Sequence, residues 1–263
     1  MCKKFFLVLF VFVYCLTIGC SDSILAPFPY RLPISIMIWN QGLFNYGSGT
    51  LSDNSSIEPD IETIKNYIIS NDCDICFFTE YASYLDQEQN MPSEILYKDK
   101  YFYRYHAGGG YESKGVVSKI PFSASYHSLT TSGRSYVIGC FYLNEELIHY
   151  VLIHLMPGLD REVSHYARLK ELQEILSMFE DDDRVIVVGD FNTPQKFMSQ
   201  ELEVLHNNGF IVGNGSTFGT YPTWQNDPND NIAVKNLMIE DFWVDQQLLR
   251  SDHKMCKAII NIL

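Results

Sequence analysis

The stretch that most constrains this chain is Val185–Pro194, VIVVGDFNTP. Four consecutive apolar residues, Val185 to Val188, suffice for a short buried strand. Gly189 lets the backbone turn with no side chain in the way. Asp190 and Asn192 flank Phe191, and Pro194 ends any ladder pairing. A carboxylate and an amide are thus set at the end of a rigid strand. The carboxylate can take a proton from water or hold a metal, and the amide can donate to an anionic oxygen. Alone, the same stretch also reads as a turn built from two turn-favouring residues. The rest of the chain weighs against that.

The 263 residues suit one large domain or two small ones. With 46% hydrophobic and 14% aromatic residues, a substantial core can form. There is no internal repeat, heptad run or low-complexity block. Residues 1–20 stand apart. Lys3 and Lys4 give a basic start, and Phe5–Leu16 is an apolar run of 12 residues, short for a bilayer span. Thr17-Ile18-Gly19-Cys20 follows. A small residue before Cys20 after such a run resembles a bacterial lipoprotein signal, in which Cys20 is lipidated and becomes the mature N-terminus. Thr17 stands where Leu is usual. The alternatives are an ordinary secretion signal cut elsewhere and an uncleaved anchor. Each predicts an exported domain, and the lipoprotein signal predicts a membrane anchor on the periplasmic side or the cell surface. Residues 21–33, with Pro27, Pro29 and Pro33, read as a tether to a domain over 34–263.

The formal net charge is -13, and loss of residues 1–19 would make it -15, from 17 basic and 32 acidic residues. That balance argues against tight non-specific adhesion to nucleic acid, which needs clustered Lys and Arg. It does not exclude turnover of nucleic acid or another phosphate ester, because a divalent ion offsets part of the site charge. Cys73 and Cys76 form a lone CxxC, with no second pair to complete a zinc site. They, Cys140 and Cys256 read as buried thiols, and their pairing is left open.

Taken in order, strands are predicted at Ile34–Trp39 and Asp74–Phe78, with a helix over Glu58–Ser70 between them. A short helix is expected within 81–101, and a mobile loop carries Gly108–Gly110. Strands follow at Gly115–Ser118 and Tyr126–Leu129. A hairpin joins Tyr136–Leu143 to Leu147–Ile153, turning at Asn144-Glu145. The clearest helix is Asp160–Phe179, with a stripe of Val163, Tyr166, Leu169, Leu172, Ile175, Leu176 and Phe179. A second helix over Phe197–His206 closes at Asn208-Gly209. Residues 217–230 read as a loop bearing Trp224. The last strands are Asn231–Val234, Leu237–Val244 and Ala258–Leu263. Strand pairs mixed with helical crossovers predict an α/β domain with more than one sheet.

Five apolar runs end in, or begin just after, a polar group useful to phosphate chemistry. Asn40, Glu80 and His154 follow three of them, Asp190 and Asn192 a fourth, and Asp252-His253 precedes the last. Each alone has an ordinary structural reading; five at strand ends are hard to explain by packing.

Trp39-Asn40, Thr79-Glu80, GVVSK at Gly115–Lys119, IHL at Ile153–Leu155, GDFN at Gly189–Asn192 and SDH at Ser251–His253 resemble the endonuclease/exonuclease/phosphatase superfamily, with its deoxyribonuclease I-like fold. The resemblance implies a four-layer α/β sandwich, two facing mixed sheets flanked by helices, with the site at one rim. It implies a divalent ion, Mg²⁺ or Mn²⁺, with Glu80 as principal ligand and Asn40 and Asp252 in or beside the metal shell. Asp190 would orient or deprotonate water, Asn192 would hold that water or a phosphate oxygen, and His154 and His253 would donate to the phosphate. The resemblance also implies an acidic partner for His253. Asp230, 22 residues before Asp252, fits; Asp241 is the rival, with only nine residues before Ser251. Glu112 could pair with His154.

The expected function is exported, metal-dependent hydrolysis of a phosphodiester by a monomer, nucleic acid being the leading substrate. Alternatives are a phosphomonoesterase or lipid phosphodiesterase acting on inositol phosphates or sphingomyelin, and a surface lipoprotein that binds without catalysis.

Overall fold

The structure is a computed structural model, and it describes residues 33–42, 61–81, 101–105, 112–158, 161–215, 218–221, 227–247 and 251–263. The leader-like segment with Cys20, most of the tether, the helix expected within 81–101, Gly108–Gly110 and Trp224 lie outside these residues. Among the described residues no helix is long and apolar enough to cross a membrane.

Two six-stranded sheets make the centre of the molecule. The first contains β1 (Ile34–Asn40), β2 (Ile75–Thr79), β3 (Tyr101–Tyr105), β4 (Lys114–Ser118), β11 (Leu237–Val244) and β12 (Cys256–Ile262), in the order β11-β12-β1-β2-β4-β3. The second contains β5 (Phe122–Ser128), β6 (Ser135–Leu143), β7 (Glu146–His154), β8 (Arg184–Asp190), β9 (Phe210–Val212) and β10 (Asp230–Lys235), in the order β5-β6-β7-β8-β10-β9. Each sheet holds one parallel pair joined through a helix. α1 (Ile61–Asn71) joins β1 to β2, and α2 (Glu162–Leu176) joins β7 to β8. α3 (Met198–Asn207) follows β8. This is the expected four-layer sandwich.

Both sheets are covered on both faces, so their central strands are apolar runs rather than alternating ones. In β1, Ile34, Ile36 and Ile38 face the second sheet, where Ile186, Val188, Ile232 and Val234 meet them. Met37 and Trp39 point the other way, under Tyr67 and Ile68 of α1. In β8, Val185 and Val187 face outward under Leu172, Ile175 and Leu176 of α2. Each such side chain removed from water contributes about 1.5–3 kcal/mol. The β6–β7 hairpin turns at Asn144 and Glu145, both at positive φ (49° and 71°), as a two-residue hairpin turn requires.

Three features depart from the sequence expectations. β3 and the three-residue β9 are additional strands, and β5 begins at Phe122 rather than Tyr126. The stripe expected on α2 holds only in its C-terminal half. Val163 and Tyr166 are 80% and 62% exposed, while His165, Arg168 and Glu171 are buried in their place. His165 and Arg168 both pair with Glu201, and Glu171 accepts the Met156 N–H, which makes that burial tolerable. Cys73, Cys76, Cys140 and Cys256 are buried thiols.

The sheet directions decide where chemistry collects. β1, β2, β7 and β8 all end at one rim. β4, β10 and β12 run antiparallel to β2, β8 and β1, so they begin there. Gly189 sits at this rim with φ +148°, and a Cβ on it would lie 2.0 Å from the Ile153 carbonyl oxygen. Gly189→Ala is therefore expected to destabilise the protein by about 3 kcal/mol or more, since rigid backbone must move; urea unfolding of the two purified proteins measures it.

Candidate active site

Asn40 closes β1 and bridges the two sheets. Its Nδ2 donates to Asp190 Oδ2 at 2.9 Å and to Glu80 Oε1 at 3.3 Å. Its Oδ1 accepts the Gly42 N–H at 2.9 Å, which fixes the amide orientation. Ser251 Oγ donates to the Asn40 carbonyl and accepts the His253 N–H, so the loop before β12 is stitched to the end of β1. Trp39 Nε1 adds a bond to the His253 carbonyl.

Asp190 closes β8. Its Oδ1 accepts the Asn192 N–H at 2.7 Å. Asn192 (φ +50°) donates its own Nδ2 to the Leu155 carbonyl at 3.0 Å, tying the loops that follow β8 and β7. His154, the last residue of β7, places Nε2 3.8 Å from Glu80 Oε1 and 3.7 Å from Asp190 Oδ2. Glu80, just past β2, also sits at positive φ (46°). Two non-glycine residues in that region, both at the rim, are local strain held by the surrounding bonds.

His253 Nδ1 donates to Asp230 Oδ2 at 2.7 Å, and its Nε2 lies 3.9 Å from Asp190 Oδ2. Asp230 opens β10 in register with Asp190, and Thr220 Oγ1 accepts its N–H. Asp241 sits on β11, its Oδ1 accepting the neighbouring Phe242 N–H. Tyr221 covers His253, ring centroids 4.6 Å apart. Asp252 is buried beside His253. Asn40, Glu80, His154, Asp190, Asn192, Asp230, Asp252 and His253 are thus gathered at one rim.

Glu112 is engaged elsewhere. It pairs with Arg134 at 2.6 Å and accepts from Ser135 Oγ at 3.0 Å. Arg134 Nε in turn donates to the His154 carbonyl at 2.8 Å, so Glu112 reaches His154 through Arg134 and its backbone. Lys114, in register with Thr79, is fully buried and donates to Ser135 Oγ at 2.9 Å. Sequence reasoning missed Lys114, Arg134, Thr220 and Tyr221. Lys114 directly precedes the GVVSK stretch and was the most findable.

Burial governs the charges. It raises Glu80 to about 7, with His253 opposing and Asp190 adding to the rise. It raises Asp190 to about 7, with Asp230 adding and His253 opposing. Burial also raises Asp252 and lowers Lys114 to about 8. For His253 burial pulls downward, but the carboxylates of Asp230, Asp190 and Asp252 outweigh it and hold the imidazolium up to about 10. Among the described residues, the rim sets the raised carboxyls of Glu80, Asp190 and Asp252 around the His253 imidazolium.

Residues 37–253 match the profile of the Endonuclease/Exonuclease/phosphatase family. The chain belongs to this family. Its fold is found in an endonuclease/exonuclease/phosphatase from Beutenbergia cavernae (TM-score 0.67, 12% identity, 88% of this chain and 72% of that one). It is found in a family protein from Leptotrichia buccalis (TM-score 0.62, 17% identity, 87% and 100%). It is also found in D. rerio TDP2 complexed with single strand DNA product (TM-score 0.63, 15% identity, 88% and 100%). At these identities the likeness shows the fold. No curated protein matches the sequence.

Members of this family are phosphoric ester hydrolases, generally dependent on a divalent metal, and the site's donors fit one. Buried carboxylates raised to about 7 are what a nearby dication would return to the ionised state. Asp190, Asp230 and His253 offer ligand atoms within 4.8 Å of one another. An imidazolium bonded to Asp230 has no lone pair to give, so the Glu80 and Asn40 side of Asp190 is the better seat for an ion.

The His253–Asp230 pair carries a pH signature. A histidine raised from 6.5 to about 10 gives stability that is complete below pH 6.5 and lost as pH rises through 10. Asp230→Asn removes one partner of a buried pair and is expected to cost about 3–5 kcal/mol at pH 6. The difference from wild type should shrink as pH rises through 10, as read by urea unfolding at pH 6, 8 and 10.

Proposed function

We propose that the protein is an exported, divalent-metal-dependent phosphodiesterase of the nuclease type. The observation that carries this reading is the bonded trio Glu80–Asn40–Asp190, whose Asp190 Oδ2 lies 3.9 Å from Nε2 of the His253 imidazolium. Acids and a cation at that spacing suit a reaction that moves a proton from water and builds negative charge on phosphate.

Asp190 is the general base. Asn40 and the Asn192 N–H hold its two oxygens, which fixes the carboxylate to take a proton from water. The water oxygen bonds to phosphorus as the ester P–O bond breaks; the water proton passes to Asp190, and the leaving oxygen departs with the bonding pair and takes a proton from solvent. His253, oriented by Asp230, donates through Nε2–H to a phosphate oxygen. His154 Nε2 faces the same space. Asn192 spends one amide hydrogen on Leu155, which makes it first a positioner of Asp190. Glu80, with Asp252 nearby, would hold Mg²⁺ or Mn²⁺, which would supply charge neutralisation at the phosphate; Asn40, expected in or beside the metal shell, turns Nδ2 toward Glu80 and Asp190 and gives Oδ1 to Gly42, so it orients those carboxylates. DNA in the complexed TDP2 supports nucleic acid as the substrate class, while the net charge of -13 favours recognition of a local phosphate over long-range attraction. Export and lipidation at Cys20 are supported by the leader-like sequence; fatty-acid labelling lost in Cys20→Ala is the test.

The first experiment assays purified protein on bis-p-nitrophenyl phosphate, plasmid DNA, inositol phosphates and sphingomyelin, with and without Mg²⁺ or Mn²⁺. Metal-dependent cleavage of the diester and of DNA is expected, with kcat lowered about 10²–10⁴-fold in Asp190→Ala. Faster turnover of inositol phosphates or sphingomyelin would overturn the nuclease assignment, and no turnover would favour a binding lipoprotein. An ion that binds the folded site also stabilises it, by about 2.7 kcal/mol at a hundredfold excess over its dissociation constant. Mg²⁺ or Mn²⁺ should therefore raise Tm, and Glu80→Ala should abolish that rise.

A further inference from the structure

We propose that Arg168, buried on α2 and remote in sequence from every rim residue, is a positioning residue that locks together the two loops leaving β7 and β8. Its Nη1 donates to the Met156 carbonyl at 3.1 Å, two residues past His154. Its Nε reaches Glu201 Oε1 at 3.4 Å, on the helix that follows Asp190 and Asn192. One guanidinium therefore touches both chain segments that emerge from the rim of the second sheet. Glu171, one turn along the same helix, completes the grip: its Oε2 accepts the Met156 N–H at 2.8 Å. Both polar groups of Met156 are thus held by α2.

The next residue inward is held from the other side. Leu155 donates its N–H to the Asp190 carbonyl at 2.9 Å and accepts Asn192 Nδ2 at 3.0 Å. The loop after His154 is clamped between the outer helix and the general base.

Stability alone does not explain this choice of residues. Arg168 and Glu171 are fully buried and Glu201 nearly so. Buried ion pairs often add nothing over apolar groups of equal volume, because desolvation cancels the attraction. Burial pushes the Arg168 guanidinium down and the Glu171 and Glu201 carboxyls up, the signature of that penalty. What charged groups provide and methylenes do not is directional hold on a backbone N–H and C=O. A small displacement of a reacting group costs on the order of 10²-fold in rate.

The test is Arg168→Lys, whose single ammonium cannot grip Met156 and Glu201 in the two-pronged way of a guanidinium. Amide hydrogen exchange is read at Leu155 and Asn192, which the substitution does not touch, and referenced to Val137 in the β6 core. The expected result is protection at Leu155 and Asn192 lowered at least tenfold relative to Val137. Protection unchanged, or lost equally at all three, overturns the proposal. If Arg168→Lys does not fold, Glu171→Gln is read the same way. The inference rests on the phosphodiesterase reading only for its kinetic arm. On bis-p-nitrophenyl phosphate, kcat should fall ten- to a hundredfold with KM within threefold. Unchanged kcat with turnover present overturns the proposal. Absence of turnover in the wild type counts against the reading of the site, and the exchange result then decides the clamp alone.

Discussion

The bond from Asn40 to Asp190 joins two sheets that share no strand, and its length is set by the core between them. Ile34, Ile36 and Ile38 on one side and Ile186 and Val188 on the other fix how far apart β1 and β8 stand. A core as closely packed as a crystal transmits that spacing to the rim with little slack. Every other contact at the rim inherits it. Glu80 is measured from Asn40, His154 and His253 from Asp190, and Asp230 from its register with Asp190.

The strain and the misplaced charge at the rim have the same origin. Glu80 and Asn192 are held at positive φ, and burial pushes the Glu80 and Asp190 carboxyls up to about 7. None of this favours folding, and the surrounding sheets compensate. Raised carboxyls carry the same sign of linkage as His253, in a lower window: their penalty grows as pH climbs from the ordinary carboxylate range through about 7. The penalty is at full size from about pH 7 upward, where a bound cation relieves it most.

Much of this was legible in the sequence, because strand burial and motif order leave direct marks. VIVV followed by Gly189 announces a buried strand with polar residues at its end, and Asn40, Glu80 and His154 repeat the pattern. The spacing argument for Asp230 over Asp241 rested on chain length, and the structure puts Asp230 against His253. The inner face of α2 was not legible. Position 168 shares a face with Leu172 and Ile175 and is inside, while Val163 and Tyr166 lie off that face and are outside; a count of apolar residues recruits the wrong ones. Periodicity counts apolar residues, and a charge is sent inward only by partners such as Glu201 and Met156 that lie elsewhere in the chain. The three-residue β9 is too short to show any period at all.

The contacts that complete the rim are separated by most of the chain. Trp39 bonds to the His253 carbonyl across 214 positions, and Ser251 to Asn40 across 211. Loop closure on that scale must precede any reward from these bonds, so the site belongs to the late, non-local part of folding. A ribosome-bound chain that has made Trp39 has no His253 loop to offer until 214 further positions have been added. The rim is therefore assembled only once β12 is in place, and a chain cut before Ser251 keeps Asp190 without the bonds that tie Asn40 to the His253 loop.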